Sequence, residues 1–198
     1  MSLVIIKYNA GNIQSVLYAL ERIGATATVT DNHDKIFAAD RVIFPGVGEA
    51  SSAMKYLREK GLDKVLKNLA QPTLGVCLGM QLMCSYSEEN KTDCLGIFDV
   101  KVKRFNDEIP GLKVPQVGWN NIFNLQSPLF KEVPENTYCY FVHGYYAAVC
   151  KDTVATTDYT LHYSAALQKN NFYGVQFHPE KSAAAGEQML RNFLEIPV

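Results

Sequence analysis

Gly75-Val76-Cys77-Leu78-Gly79-Met80-Gln81 closes a short apolar run, Thr73 to Val76, and opens a segment of helical character. Strand, sharp turn and helix in that order are the setting of a nucleophile elbow, with Cys where related hydrolases carry Ser. Glycines two residues before and two after Cys77 leave out side chains that would clash on so tight a turn. The turn would push the sulfur out at the carboxyl end of a sheet and at a helix N-terminus, where free N–H groups favour thiolate. A free thiol of pKa about 8.5 is only a few per cent ionised at pH 7, so such help matters. A buried cysteine in a Gly-containing strand-to-helix turn explains the same residues, and the stretch alone leaves both readings open.

Far downstream stands Gly174-Val175-Gln176-Phe177-His178-Pro179-Glu180. His178 and Glu180, two apart on an extended chain, would point the same way, with Pro179 stiffening the segment between them. A general base followed by a carboxylate that holds its tautomer has this form. A lone His is more often structural, but a Cys elbow together with a His-x-Glu pair is seldom coincidence.

The 198 residues, 47% of them hydrophobic, suffice for one well-filled core, so a single domain over 1–198 is expected. A net charge of −1 leaves no basic footprint for nucleic acid or an anionic membrane. No apolar run approaches the roughly 18 residues of a membrane span, and the N-terminus lacks signal-peptide architecture. Five cysteines, at 77, 84, 94, 139 and 150, form no Cys-x-x-Cys pair and no zinc pattern. Their odd number without a secretory signal points to reduced thiols in a cytoplasm.

The first ninety residues alternate strand and helix. Strands are expected at Leu3 to Ile6, Thr26 to Thr30, Arg41 to Phe44 and Thr73 to Val76, with a turn at Asn9 to Asn12. Helical spacing runs from Ile13 to Ile23, from Ala50 to Lys60 and on to about Asn68. This pattern argues for an α/β fold, a mainly parallel sheet flanked by helices. The second half reads as strands in hairpin-like succession: 98–105, 114–123, 137–142, 145–149, 154–158, 164–168 and 172–177. That implies an antiparallel section, closed by a helix over Ala183 to Glu195. Glu88 to Asp93, the most polar stretch, reads as an exposed loop.

Pro45-Gly46-Val47-Gly48 follows a strand and precedes a helix. Its backbone N–H groups, with that of Leu78, would suit an oxyanion hole, each donor worth about 10²–10³ in rate; alone, the stretch reads rather as a Gly-rich turn, and the Cys77, His178 and Glu180 set tips it to the oxyanion reading. Gln81, one helical turn after Cys77, either contacts substrate or faces solvent. In the aromatic-dense stretch Tyr138 to Tyr146, His143 and Gly144 would line a pocket if they are not simply packing. Trp119, the only Trp, is either core or an exposed interface anchor.

Together, the Cys77 elbow, Pro-Gly-Val-Gly and Phe-His-Pro-Glu resemble the class I, triad-type glutamine amidotransferases, a flavodoxin-like fold. Within that class the chain is most similar to glutaminase subunits of imidazole glycerol phosphate synthases. The residues that carry this are Gly11-Asn12-Ile13-Gln14-Ser15-Val16, Gly118-Trp119-Asn120, Tyr140-Phe141-Val142-His143, and Lys181-Ser182 after the Glu. The resemblance implies Cys77 as nucleophile, His178 as base and Glu180 as its orienter. It implies Val47 and Leu78 as oxyanion donors, and Gly48, Gln81, Gly144 and Tyr145 as glutamine contacts. Asn12, Trp119 and Lys181 would face a separate (β/α)8-barrel cyclase in a heterodimer. That partner would use the ammonia for imidazole glycerol phosphate and an aminoimidazole carboxamide ribotide in histidine biosynthesis. No metal and no organic cofactor is implied. Lys7, Asn9, Gln116 and Gly144 depart from the family's usual residues, and none belongs to the triad. Rival readings are a sister amidotransferase for pyridoxal phosphate, anthranilate or guanylate synthesis, a stand-alone cysteine hydrolase, and a non-catalytic binding subunit.

Overall fold

A computed structural model describes residues 1–9, 12–108 and 111–198. The turn expected at Asn9 to Asn12, and Gly11 of the family-like N-terminal stretch, thus fall partly or wholly outside the described residues. In the first half, β1 (Leu3–Ile6), β2 (Thr28–Thr30), β3 (Arg41–Phe44) and β4 (Thr73–Val76) alternate with five helices. These are α1 (Ile13–Arg22), α2 (His33–Phe37), α3 (Ala50–Glu59), α4 (Leu62–Lys67) and α5 (Leu78–Met83). The second half runs through β5 (Tyr86–Ser87), β6 (Thr92–Asp93), β7 (Lys101–Arg104), β8 (Gln116–Ile122) and β9 (Thr137–His143). Then come β10 (Tyr145–Ala147), β11 (Thr153–Asp158), β12 (His162–Lys169), β13 (Phe172–Val175) and α6 (Ala183–Glu195).

The main sheet has the order β11-β12-β13-β4-β3-β1-β2. Five strands, from β2 to β13, pair in parallel; β12 and β11 add an antiparallel edge. The parallel core and the antiparallel section expected from the sequence are both present. Strand residues alternate between two cores, as the period of a pleated strand requires. Val4, Ile6, Val42 and Phe44 face a core shared with α2, α3, α4 and α5. Leu3, Ile5, Ile43, Leu74 and Val76 face the other, shared with α1 and α6. The helices supply matching stripes: Val16, Ala19 and Leu20 from α1, and Met189, Leu190 and Phe193 from α6. Buried Arg41 donates to the carbonyls of Phe193 and Ile196, so its charge serves the orphan acceptors at the end of α6.

Two smaller sheets lie apart from the main one, β10-β7-β5-β6 and the hairpin β8-β9. Glu88 to Asp93 is not simply an exposed loop. It holds a 3₁₀ turn at Glu89–Lys91 and β6, with Thr92 buried. The five-residue helix α2 is capped by the Asn32 side chain accepting from the Lys35 N–H.

The register fixes where the chemistry can lie. Phe44 is level with Gly75, and Val76 with Val175. Three neighbouring parallel strands therefore end together. The segments that leave them, Pro45 to Gly48, Cys77 onward and Gln176 onward, emerge side by side at the carboxyl edge, where open α/β sheets form their crevices.

Candidate active site

Cys77 leaves β4 with φ 53° and ψ −110°, and α5 begins at the next residue. A positive φ at a non-glycine residue is strained, and surrounding structure must hold it. The Cys77 N–H continues the ladder to the Val175 carbonyl at 2.8 Å, and the Gln81 N–H returns to the Cys77 carbonyl at 3.2 Å. The flanking glycines let α5 lie directly on the sheet. A Cβ on Gly75 would stand 2.9 Å from the Met80 amide nitrogen, and one on Gly79 would collide with the Phe44 carbonyl oxygen. Cys77 itself is 6% exposed.

His178 and Glu180 do meet, but not along an extended chain. Pro179 to Lys181 form a 3₁₀ turn with His178 at its entry. Proline suits that first turn position, because its missing N–H has no helical partner there. His178 Nδ1 and Glu180 Oε1 are 2.7 Å apart, with both side chains nearly inaccessible. A carboxylate can only accept, so Nδ1 carries a proton. Burial alone would lower the His178 pKa. Hydrogen bonds with the Cys77 thiol and Glu180, and the charges of both, outweigh it and raise the value to about 10. Backbone ties fix the turn: the His178 N–H donates to the Tyr140 carbonyl at 2.9 Å, and Ser182 Oγ donates to the His178 carbonyl at 2.6 Å.

Asn12, expected at a partner surface, is half-buried and reaches Glu180. Its Nδ2 donates to Glu180 Oε1 at 2.6 Å, so this carboxylate oxygen holds both the imidazole and the amide. Asn12 adopts φ 76° at the start of α1, a left-handed conformation that Asn tolerates. Replacing Asn12 by alanine frees Glu180 to turn from the imidazole. If His178 acts as a base, the expected result is a fall of about tenfold in kcat with little change in KM, read by steady-state kinetics.

A cavity of about 530 Å³ opens above the elbow. Cys77, Leu78, Gln81 and His178 line it, with Val47, Gly48, Gly144 and Tyr145 from two further segments. Lys181 lies at its rim, exposed, with Nζ 5.9 Å from the Tyr140 ring centre. Glu180 is buried behind His178, and Trp119 is on the outer face of β8; neither lines the cavity. Trp119 is not a core residue: it is 53% exposed.

Gln81 faces the cavity but is 4% exposed, and its amide is largely committed. Its Nε2 donates to the Tyr145 carbonyl and to Gln176 Oε1, each at 2.9 Å. Both N–H bonds are used, and only Oε1 remains to accept from a ligand. His143 Nδ1 is 2.7 Å from the same Tyr145 carbonyl, and burial lowers its pKa to about 4, so it is neutral at pH 7. A Cβ at Gly144 would meet nothing closer than Val114 Cγ1 at 3.7 Å, so the glycine widens the cavity rather than relieving a clash.

The Leu78 N–H, expected as an oxyanion donor, is 3.3 Å from the Gly46 carbonyl oxygen and donates to it. The Pro45 to Gly48 segment is in turn tied down by Tyr8, whose hydroxyl donates to the Pro45 carbonyl at 2.6 Å.

Four residues of this site escaped the sequence reading. Tyr8 falls between the first expected strand and the expected turn, where no pattern marks it. Glu89 and Arg104 line the cavity with opposite charges from what read as loop and strand. Burial raises the Glu89 pKa, although its Oε2 accepts the Ala50 N–H at 2.8 Å. Gln176 did leave a signal, as the one amide in an apolar run, where a buried polar residue is the informative exception. Among the described residues, no cluster of His, Cys, Asp or Glu is arranged to hold a metal ion. All five cysteines are free thiols. No described helix is long and apolar enough to cross a membrane.

With this geometry in view, the chain can be set beside known proteins. The model of the class-I glutamine amidotransferase family matches residues 4–196. A Bacteroides fragilis protein named imidazole glycerol phosphate synthase subunit HisH is 56% identical over 196 residues, covering 99% of this chain and 100% of its own. A Yersinia pseudotuberculosis protein of the same name is 44% identical over 198 residues, with the same coverage. Among solved structures, a glutamine amidotransferase aligns with TM-score 0.72 at 17% identity over 97% of both chains. PurLQS from Thermotoga maritima aligns with TM-score 0.71 at 14% identity, over 98% of this chain and 97% of the other. At those identities the likeness is one of fold.

Proposed function

The chain belongs to the class-I glutamine amidotransferases, among the relatives named subunit HisH of imidazole glycerol phosphate synthase, and from that premise we propose that Cys77, His178 and Glu180 hydrolyse glutamine and supply ammonia to a cyclase subunit. The observation that carries this reading is the buried His178–Glu180 pair, 2.7 Å apart, set against Cys77 at the end of the adjacent parallel strand.

Glutamine enters the cavity with its side-chain amide toward Cys77. Glu89 and Gln81 Oε1 accept from its ammonium group, and Arg104 attracts its carboxylate. His178, oriented by Glu180, takes the thiol proton, and the thiolate attacks the amide carbon. His178 then gives that proton to departing ammonia, leaving a γ-glutamyl thioester. Water, deprotonated by His178, attacks the thioester; the C–S bond breaks and glutamate leaves.

The oxyanion needs donors that the resting backbone does not offer. The carbonyl and N–H of one trans peptide point in opposite directions. Turning the Gly46–Val47 peptide withdraws the carbonyl that occupies the Leu78 N–H and brings the Val47 N–H to the same place. Idle protein is therefore slow, and docking of the cyclase favours the turned peptide. Hydrolysing glutamine without an acceptor would waste ammonia, so this coupling suits a biosynthetic subunit working in a cytoplasm.

The partner would seat on the outer face of β8 and β9. Val117, Trp119 and Tyr138 stand there with 60%, 53% and 61% exposure, and Trp119 packs edge-on against Tyr140 with ring centres 5.9 Å apart. Exposed large apolar side chains grouped on one face mark an interaction surface.

The test is glutamate release from glutamine by the protein alone and with a histidine-pathway cyclase plus its ribonucleotide substrate. Strong stimulation by the mixture is expected. Glutaminase activity indifferent to the cyclase would move the chain to a different partner, and no turnover under either condition would overturn the enzyme reading. In the same assay Trp119→Ala should raise the cyclase concentration for half-maximal stimulation about tenfold or more, as loss of a central aromatic anchor does.

A further inference from the structure

Gln176 is completely buried between the end of β13 and His178, and the chemistry above gives it no part. Its side-chain nitrogen lies 3.7 Å from Cys77 Sγ. The way this amide faces follows from its neighbours. A backbone carbonyl only accepts, so the Gln81 atom 2.9 Å from the Tyr145 carbonyl oxygen is the NH₂ nitrogen. That same nitrogen lies 2.9 Å from one terminal atom of Gln176, which must therefore be the oxygen. Gln176 thus turns its own NH₂ toward the sulfur.

The geometry points to Gln176 as a further catalytic residue, an N–H donor that stabilises the Cys77 thiolate. A neutral thiol is a weak acceptor, so a buried amide aimed at it gains little. A thiolate is a charged acceptor, and hydrogen bonds to charged groups are about twice as strong as neutral ones. The amide also serves where the imidazole cannot. When His178 takes a proton from the attacking water, the C–S bond of the thioester breaks and its electron pair leaves with sulfur. Gln176 keeps its donor on that sulfur whatever the protonation state of His178. Gln81 acts through Gln176 as a positioning residue, holding the amide by its oxygen.

This inference rests on Cys77 being the nucleophile, and the experiment separates the two. The full-length protein is treated with iodoacetamide from pH 6 to pH 10, and alkylation of the Cys77 peptide is followed by mass spectrometry. Gln176→Met keeps the length of the side chain and loses the donor; Gln176→Asn keeps the amide but withdraws it by one methylene. Thermal unfolding checks the fold of each, and the Asn variant carries the test if the Met variant does not fold. Both should alkylate about tenfold more slowly than wild type near pH 6 and converge with it near pH 10, above the range in which ordinary thiols ionise. Unchanged rates in a folded variant would overturn the role, as would a uniform fall across the whole pH range, which signals lost access. A wild-type Cys77 that reacts no faster than the other cysteines would overturn the nucleophile itself and the inference with it.

Discussion

Cys77→Ala is expected to abolish glutamate release and to leave the protein folded. On the proposed mechanism this side chain bears the nucleophilic sulfur, and apart from its interaction with His178 its contacts are long: Sγ is 3.7 Å from the Val142 carbonyl and 3.7 Å from the Gln176 amide. Alanine meets the same backbone strain at φ 53° as cysteine does, so stability changes little. Removing one member of a nucleophile–base unit costs on the order of 10⁴–10⁶ in kcat, and the losses do not add. His178→Ala should fall to the same floor, and the double variant no further. Steady-state glutamate release beside a thermal unfolding curve checks both halves. Turnover by folded Cys77→Ala at the wild-type rate would remove Cys77 from the mechanism.

The second large effect is on stability. Gly79→Ala places a methyl group against the Phe44 carbonyl oxygen. Overpacking with a flexible neighbour costs about 1–3 kcal/mol, and more when backbone must move. Here the neighbour is backbone at the end of β3, held between β1 and β4. The expected loss is about 3 kcal/mol or more by denaturant unfolding, with activity lost too, because α5 and the elbow shift together. Gly144→Ala is the contrast. Its methyl meets Val114 and Pro115 at ordinary van der Waals distance and the backbone needs no positive φ, so stability should stay within about 1 kcal/mol, on the favourable side. Equal behaviour of the two variants would show that close packing at Gly79 is not what holds α5 on the sheet.

The parallel core could be read from the chain because its strands are buried on both faces. Arg41–Phe44 and Thr73–Val76 are short apolar runs whose ends coincide with the expected ones, and α6 matches Ala183 to Glu195. Two expected strands are shorter in the structure: 98–105 yields a strand only at Lys101–Arg104, and 145–149 only at Tyr145–Ala147. Phe98 and Phe105 are core residues, but burial alone does not make a strand. The two-residue strands β5 and β6 lie below the length at which any period is visible. In the site, residues with distinctive chemistry, Cys77, His178 and Glu180, announced themselves. Residues whose part depends on reach across the fold did not. Asn12 meets Glu180 across 168 positions and Gln176 meets Cys77 across 99, and no local pattern encodes such distances.

The place of β13 bears on synthesis as well as on chemistry. It lies between β4 and β12, yet it is the last strand to leave the ribosome. Until it inserts, the first four strands and the β11–β12 hairpin have nothing to join them, and the turn carrying His178 has no position. Long-range pairings of this kind close late in folding. A nascent or prematurely terminated chain therefore displays a Cys77 elbow without a base.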